Sequence, residues 1–317
     1  MLQLLVLFIC ITSINGRFIF DYFGDCVVTP QVCPNTNITY WFYTRATQNK
    51  PIQLDLTRPE TIKNAGFIPE IPFKIIIHGY TGWKDYSPNT EIRPALFENG
   101  EYNVISVDYG PIAKEPCYLF AVKNVKVVAN CTAQLIDYLV DVEKISLHRF
   151  HVIGFSLGAH VSGTISEYLK SGVLERISGL DPAFPLFWGN NPRGQLDKTD
   201  AKFVDVIHTN GMAKGKMETC GHVDFYCNGG SNQPGCDAPD VENVDSCNHA
   251  RAPAYFAESI NTKLGFWGAN CSSRRSGTDL NCKLGVMGFH TPNNIRGVYY
   301  VTTNSSPKFA MGKPRLS

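Results

Sequence analysis

The sequence lacks an excess of either charge: Lys and Arg total 29, and Asp and Glu total 28. No global field therefore draws the chain to nucleic acid or to an acidic membrane. Charged residues are also sparse, 18% against 44% hydrophobic, a balance that excludes a disordered chain. There is no internal repeat, no low-complexity tract and no Pro/Gly/Ser linker, so the 317 residues read as one large domain. No CxxC pair is present, which argues against structural zinc despite the nearness of Cys220, His222 and Cys227.

What is present begins at the N-terminus. Residues 1–11 form an almost unbroken apolar run, followed by Thr12, Ser13 and Gly16. The run is too short to span a bilayer and fits the apolar region of a secretory leader, although a positively charged start is missing. We expect a leader over residues 1–16 and a mature domain over residues 17–317. Of the eleven cysteines, removal of Cys10 with the leader leaves ten, an even set that suggests disulfides in an oxidising compartment. Four N-glycosylation tripeptides, at Asn37, Asn130, Asn270 and Asn304, agree with a secreted glycoprotein.

Short apolar or β-branched runs recur at residues 39–44, 73–77, 103–108, 150–153, 177–180 and 203–207. Bounded by turn residues, they predict buried strands of a mostly parallel sheet. Between them the apolar period changes to three and four residues. Helices are expected over 121–142, 157–170 and 249–263. Strands alternating with helices give an α/β fold with a central sheet flanked by helices. Beyond Cys271 the pattern fades into Gly-rich segments and a basic tail.

The chemistry is concentrated in FHVIGFSLGAH, residues 150–160. It places Gly154-x-Ser156-x-Gly158 between a strand and a helix. A serine on such a sharp turn sits in strained backbone with its hydroxyl above the sheet, and its two glycines allow strand and helix to pass closely. The turn also aims the Leu157 N–H of a helix start at developing negative charge. Serine needs a base, and the base needs an orienting acid. On this kind of fold the order is Ser, then Asp or Glu, then His. Asp181 follows an apolar run and precedes Pro182, a suitable place for the acid. Four histidines come later: His208, His222, His249 and His290. Spacing does not choose between His249 and His290.

Five motifs in order resemble the pancreatic lipase family of the α/β-hydrolase superfamily: IIHGY (76–80), GFSLGAH (154–160), GLDPA (179–183), DAKFVDVIH (200–208) and CNHAR (247–251). The resemblance implies an α/β-hydrolase fold, Ser156 as nucleophile, Asp181 as acid and His249 as base. It also implies an oxyanion hole from the backbone N–H groups of Tyr80 and Leu157. Disulfides Cys236–Cys247 and Cys271–Cys282 are expected from spacing together with the resemblance. The family's lid corresponds to residues 236–247, which hold ten residues between the cysteines. Four of these are acidic (Asp237, Asp240, Glu242, Asp245), and the segment is too short and polar to form a sizeable amphipathic cover.

A short lid and a short segment from 208 to 222 resemble the secreted phospholipase A1 branch. We therefore expect hydrolysis of phospholipids at the sn-1 ester, with a neutral lipase or galactolipase as the alternative. A lipid-binding or yolk-type homologue that has lost activity is the non-enzymatic alternative. The partner implied is a lipid surface, with no nucleic acid. The chain ends near where the digestive lipases carry a C-terminal β-sandwich, so a colipase is not expected. Phe155 stands where His is common in the family, and Asn210 where Asp is common. No cofactor is required by the mechanism. The family's structural calcium loop matches in part, with carboxylates from Asp197 and Asp200 and carbonyl oxygens from Pro192 and Gln195; a solvated acidic loop is the other reading.

Overall fold

The computed structural model describes residues 25–189, 193–273 and 280–314. The expected leader and Pro192 lie outside them.

The central strand is β3 (Phe73–Ile77), in which every residue is buried. Burial along the whole strand is what covering on both faces produces, and Lys74 is the one residue of β3 that is not apolar. Parallel to it lie β4 (Asn103–Asp108) on one side and β5 (Phe150–Phe155) on the other. The parallel order continues through β6 (Leu174–Leu180), β7 (Ala201–His208) and β8 (Val223–Cys227) to β11 (Gly297–Val301). Antiparallel strands finish both edges: β1 (Thr39–Tyr43) and β2 (Ile52–Leu54) beside β4, and β9 (Phe266–Ser273) and β10 (Leu280–Met287) beside β11. Among the described residues this makes one eleven-stranded sheet and no separate β-sandwich.

Helices cover both faces, because alternate residues of each strand point opposite ways. Ile75, Ile77, Val107, Val152 and Ile177 pack under α3 (Tyr118–Asp141) and α4 (Leu157–Thr164). Ile76, Val104, Ile153, Phe203 and Ile207 pack under α2 (Asn89–Asn99) and α5 (Val244–Asn261). A short α1 (Pro59–Lys63) adjoins the β1–β2 edge. The α3 stripe of Ala121, Val125, Val128, Leu135, Ile136 and Leu139 is buried, as its period predicts.

Three expectations change. The helix expected from residue 249 starts at Val244, where the Asn243 side chain accepts the Ser246 N–H and caps the first turn. The helix expected to reach residue 170 stops at Thr164 and tightens into a 3-10 turn over Ile165–Glu167. The described residues of the Gly-rich region after Cys271 include β10 and β11, strands that the apolar pattern did not predict.

Because β3 and β5 to β8 run parallel, the loops leaving their C-terminal ends gather at one end of the sheet. In open α/β sheets that is where ligands bind.

Candidate active site

Ser156 joins β5 to α4 with φ 55° and ψ −120°, a conformation that side chains other than glycine rarely adopt. The flanking glycines make it possible. A Cβ on Gly154 would lie 2.3 Å from the Gly158 carbonyl, and one on Gly158 would lie 2.3 Å from that of His78. Ser156 is locked in place by its own N–H to the Leu180 carbonyl (2.9 Å) and by the Ala183 N–H to its carbonyl (3.2 Å). It therefore sits beside the end of β6, where Asp181 begins the loop.

Asp181 is fully buried, and its carboxylate is completely engaged. Oδ1 accepts the backbone N–H groups of Thr209 (2.7 Å) and Asn210 (3.1 Å). Oδ2 lies 2.6 Å from Nδ1 of His249. A Cβ on Gly215 would come within 2.4 Å of both carboxylate oxygens, so only glycine lets that loop close over the acid. His249 projects from α5 and is 8% exposed. Its ring packs against Phe155, with centroids 4.6 Å apart. With the carboxylate at Nδ1, that nitrogen carries the proton, leaving Nε2 as the acceptor.

The other candidate histidine is elsewhere: His290 bonds the Ile260 carbonyl at 3.0 Å. His208 is buried between Asp224 (2.9 Å) and the Lys216 carbonyl, and Asp224 helps raise its pKa against the opposing effect of burial. His222 accepts the Val204 N–H. His160 is buried against the Ala183 carbonyl and the Leu196 N–H, and desolvation depresses its pKa to about 3, so it stays neutral.

Leu157 is the first residue of α4, where backbone N–H groups have no partner within the helix. Tyr80 lies on the loop after β3, and its ring meets Tyr118 edge-on at 5.1 Å. This loop is braced by a residue that the sequence did not single out. His78 accepts the Tyr109 N–H at Nε2 (3.1 Å), so its Nδ1 bears the proton and donates to the Gly79 carbonyl (2.7 Å). That carbonyl belongs to the same peptide plane as the Tyr80 N–H, so the ring fixes which way the N–H points.

A second Ser/His/Asp grouping lies within the sheet, made of His151, Ser178 and Asp205. His151 Nε2 is 2.8 Å from Ser178 Oγ, and that hydroxyl also lies 2.9 Å from each Asp205 oxygen. Lys74 Nζ approaches His151 Nδ1 at 3.3 Å, and Arg176 pairs with Asp205 at 2.7 Å. Here the serine stands between imidazole and carboxylate, whereas nucleophilic catalysis needs the imidazole in the middle. Ser178 is also completely buried. The grouping is a satisfied polar network under α5.

The sequence matches the Lipase family over residues 24–309. The chain belongs to the lipase family. It is 32% identical over 323 residues to the pancreatic triacylglycerol lipase of Sus scrofa, covering 92% of this chain and 71% of that one. It is 32% identical over 299 residues to the pancreatic lipase-related protein 2 of Cavia porcellus (89% and 67%). The inactive pancreatic lipase-related protein 1 of Homo sapiens is 34% identical over 262 residues (77% and 56%). The chain thus spans 56 to 71% of the length of these relatives. A solved α/β-hydrolase from a deep-sea metagenome is 15% identical, with a TM-score of 0.33 over 60% of this chain and 70% of that one. So low a score adds nothing to the strand order given above. As a family member the protein is a lipase-type hydrolase of carboxylic esters.

Cys236–Cys247 closes the segment expected to be a short lid, and Cys271–Cys282 joins β9 to β10. Cys26–Cys117 and Cys33–Cys131 fasten the N-terminal segment to α3, while Cys220 and Cys227 are free thiols. Four disulfides fit an oxidising compartment. No helix among the described residues is long and apolar enough to cross a membrane. Of the tripeptide asparagines, Asn304 is exposed and Asn37 and Asn270 are half-buried. Asn130 lies inside α3, where its tripeptide's Thr132 hydroxyl is buried and donates to the Val128 carbonyl.

Asp197 and Asp200 are brought together, the Asp197 N–H donating to Asp200 Oδ2 at 2.7 Å. Burial, followed by the nearby charges of Asp197 and Glu167, pushes the Asp200 carboxyl up to about 7. A cation beside it would relieve that repulsion, so the carboxylates fit calcium in charge. The Gln195 side-chain oxygen is taken by Lys216 Nζ at 2.9 Å. Among the described residues, no three His, Cys, Asp or Glu side chains converge on one metal position.

Proposed function

We propose that the protein is a secreted serine hydrolase that cleaves the sn-1 acyl ester of phospholipids, with Ser156 as nucleophile, His249 as base and Asp181 as acid. The carrying observation is the 2.6 Å contact between Asp181 and His249 beside a serine held at positive φ. His249 takes the Ser156 proton as the hydroxyl attacks the ester carbonyl, and Asp181 steadies the imidazolium. The N–H groups of Tyr80 and Leu157 receive the oxyanion, each such donor being worth about 3–4 kcal/mol of barrier. His249 then protonates the leaving alcohol, and water attacks the acyl-enzyme in the same way.

The lipid reading is supported by where apolar side chains reach solvent. Trp83, Leu186, Trp188 and Met212 are exposed on loops that leave the C-terminal ends of β3, β6 and β7, and Leu119 is exposed in the first turn of α3, which follows β4. That is the end where Ser156 sits, and exposed apolar residues gathered there suit contact with a lipid aggregate. The phospholipid preference is supported by the lid. Asp237, Asp240, Glu242 and Asp245 are exposed, and the segment offers no apolar face to close over the serine. Calcium, where bound, would be held by Asp197 and Asp200 and would stiffen their loop without touching the ester.

The 32% identity to a triacylglycerol lipase favours neutral glycerides as the second reading. Fatty-acid release from phosphatidylcholine vesicles and from a triolein emulsion separates the two. Faster release from vesicles is expected, and a preference for triolein overturns the phospholipid assignment.

A further inference from the structure

We propose that Asn210 is a positioning residue that ties the loop caging Asp181 to the first turn of α5, and that it can do so only as a neutral amide. The proposal rests on the assignment of Ser156, Asp181 and His249 given above. Asn210 is 2% exposed and works in four directions. Its backbone N–H donates to Asp181 Oδ1 at 3.1 Å. Its side-chain Nδ2 donates to Asp245 Oδ1 at 3.1 Å, and its Oδ1 accepts the Lys214 N–H at 3.0 Å. Its carbonyl accepts the N–H of Gly215, the residue that closes over the Asp181 carboxylate.

These partners set the amide orientation, because a carboxylate can only accept and an N–H can only donate. An aspartate at this position would keep the bond to Lys214 and lose the one to Asp245. Two carboxylates would then face each other, one of them buried. Asp245 lies in the first turn of α5, one helical turn before His249. The amide therefore joins the loop that cages the acid to the helix that carries the base. The charged and titratable groups around it are Asp181 and His249 from the site, Asp245 from the lid and Lys214 from its own loop. Lys214 Nζ reaches on to Ser246, a second tie between the same two segments.

The test is steady-state hydrolysis of p-nitrophenyl butyrate, a soluble ester that needs no lipid surface, from about pH 5 to 9. Thermal melting is recorded alongside. Asn210→Asp is expected to lower kcat near pH 8 by about fivefold to tenfold, with KM within about twofold of wild type. Its kcat relative to wild type should recover as the pH falls and the two carboxylates share a proton. Asn210→Asp combined with Asp245→Asn restores the bond with donor and acceptor exchanged, and should recover most of the loss near pH 8. Should Asn210→Asp not fold, Asp245→Ala removes the acceptor without burying a charge, and is expected to lower kcat about twofold to threefold at unchanged KM. A variant-to-wild-type ratio that stays flat with pH, a double variant no better than the single one, or an inert Asp245→Ala each overturns the proposal. Turnover that survives Ser156→Ala would instead overturn the site assignment, so the two failures are distinguishable.

Discussion

Nδ1 of His249 lies 2.6 Å from Oδ2 of Asp181, while Oδ1 of the same carboxylate is held by two backbone N–H groups. The acid is fixed at one oxygen and free to hold the imidazole with the other. Asp181→Asn would keep the first role and reverse the second, since an amide NH2 donates to Nδ1 and moves the ring proton to Nε2. We expect kcat to fall by about 10⁴ with little change in melting temperature. A loss below about tenfold would remove Asp181 from the mechanism.

Gly215→Ala should act on the same carboxylate by crowding. The added methyl would meet both oxygens at 2.4 Å and must displace either the loop or the acid. The expected result is a drop in kcat of at least about tenfold, with KM barely altered, read with a soluble ester. Normal turnover would mean that the loop yields freely.

His78→Ala should release the Gly79–Tyr80 peptide. The ring is buried and stacks on Tyr109 at 4.1 Å, so some stability is lost as well. The decisive readout is kcat in the folded variant, expected to fall by about 10² as one oxyanion donor loses its aim. Unchanged kcat would exclude Tyr80 from that role.

Lys74 makes stability depend on pH in a stated direction. Burial, and then the nearby Arg176, pull its pKa down to about 7, with Asp205 pulling the other way. Between about 7 and the ordinary lysine value the unfolded chain binds the proton and the folded chain does not, so this group adds stability as pH rises through that window. Below it both states are protonated and the contribution is gone. Melting temperatures from pH 7 to 10 should therefore fall less steeply, or rise more, in wild type than in Lys74→Met. Parallel curves would refute the assignment.

Calcium should raise the melting temperature relative to a chelated sample by about 2–4 °C, and Asp200→Asn should abolish the shift. The rate with a soluble ester should be the same with and without the ion. No shift in wild type would make the Asp197–Asp200 loop a solvated one.

Much of the centre of the fold was legible because its strands are apolar on both faces: β3 and β4 carry the limits read from the residues alone. The edges were not. In β8, Asp224 interrupts the apolar pattern and is buried with its carboxylate held by His208 from β7 and by the backbone N–H groups of Cys220 and Gly221. β9 and β10 mix glycine and polar residues with apolar ones. They pair with each other as sequence neighbours, but reach the sheet only through β11, whose other partner β8 is remote in sequence. α2 carries Pro94 and a weak apolar stripe. At the site, the strand–serine–helix turn was local and readable. The roles of His78, Gly215 and Asn210 were not, although Asn210 stood out as a departure from the family pattern, since each depends on a partner that is remote in sequence or reached only through a folded loop.

The proposed nucleophile begins a helix on one face of the sheet, and the proposed base hangs from a helix on the opposite face. Ester turnover is thus a joint report on both layers. A refolding intermediate with only one layer docked would be inert however native its spectrum, and regain of activity should mark the arrival of the later layer.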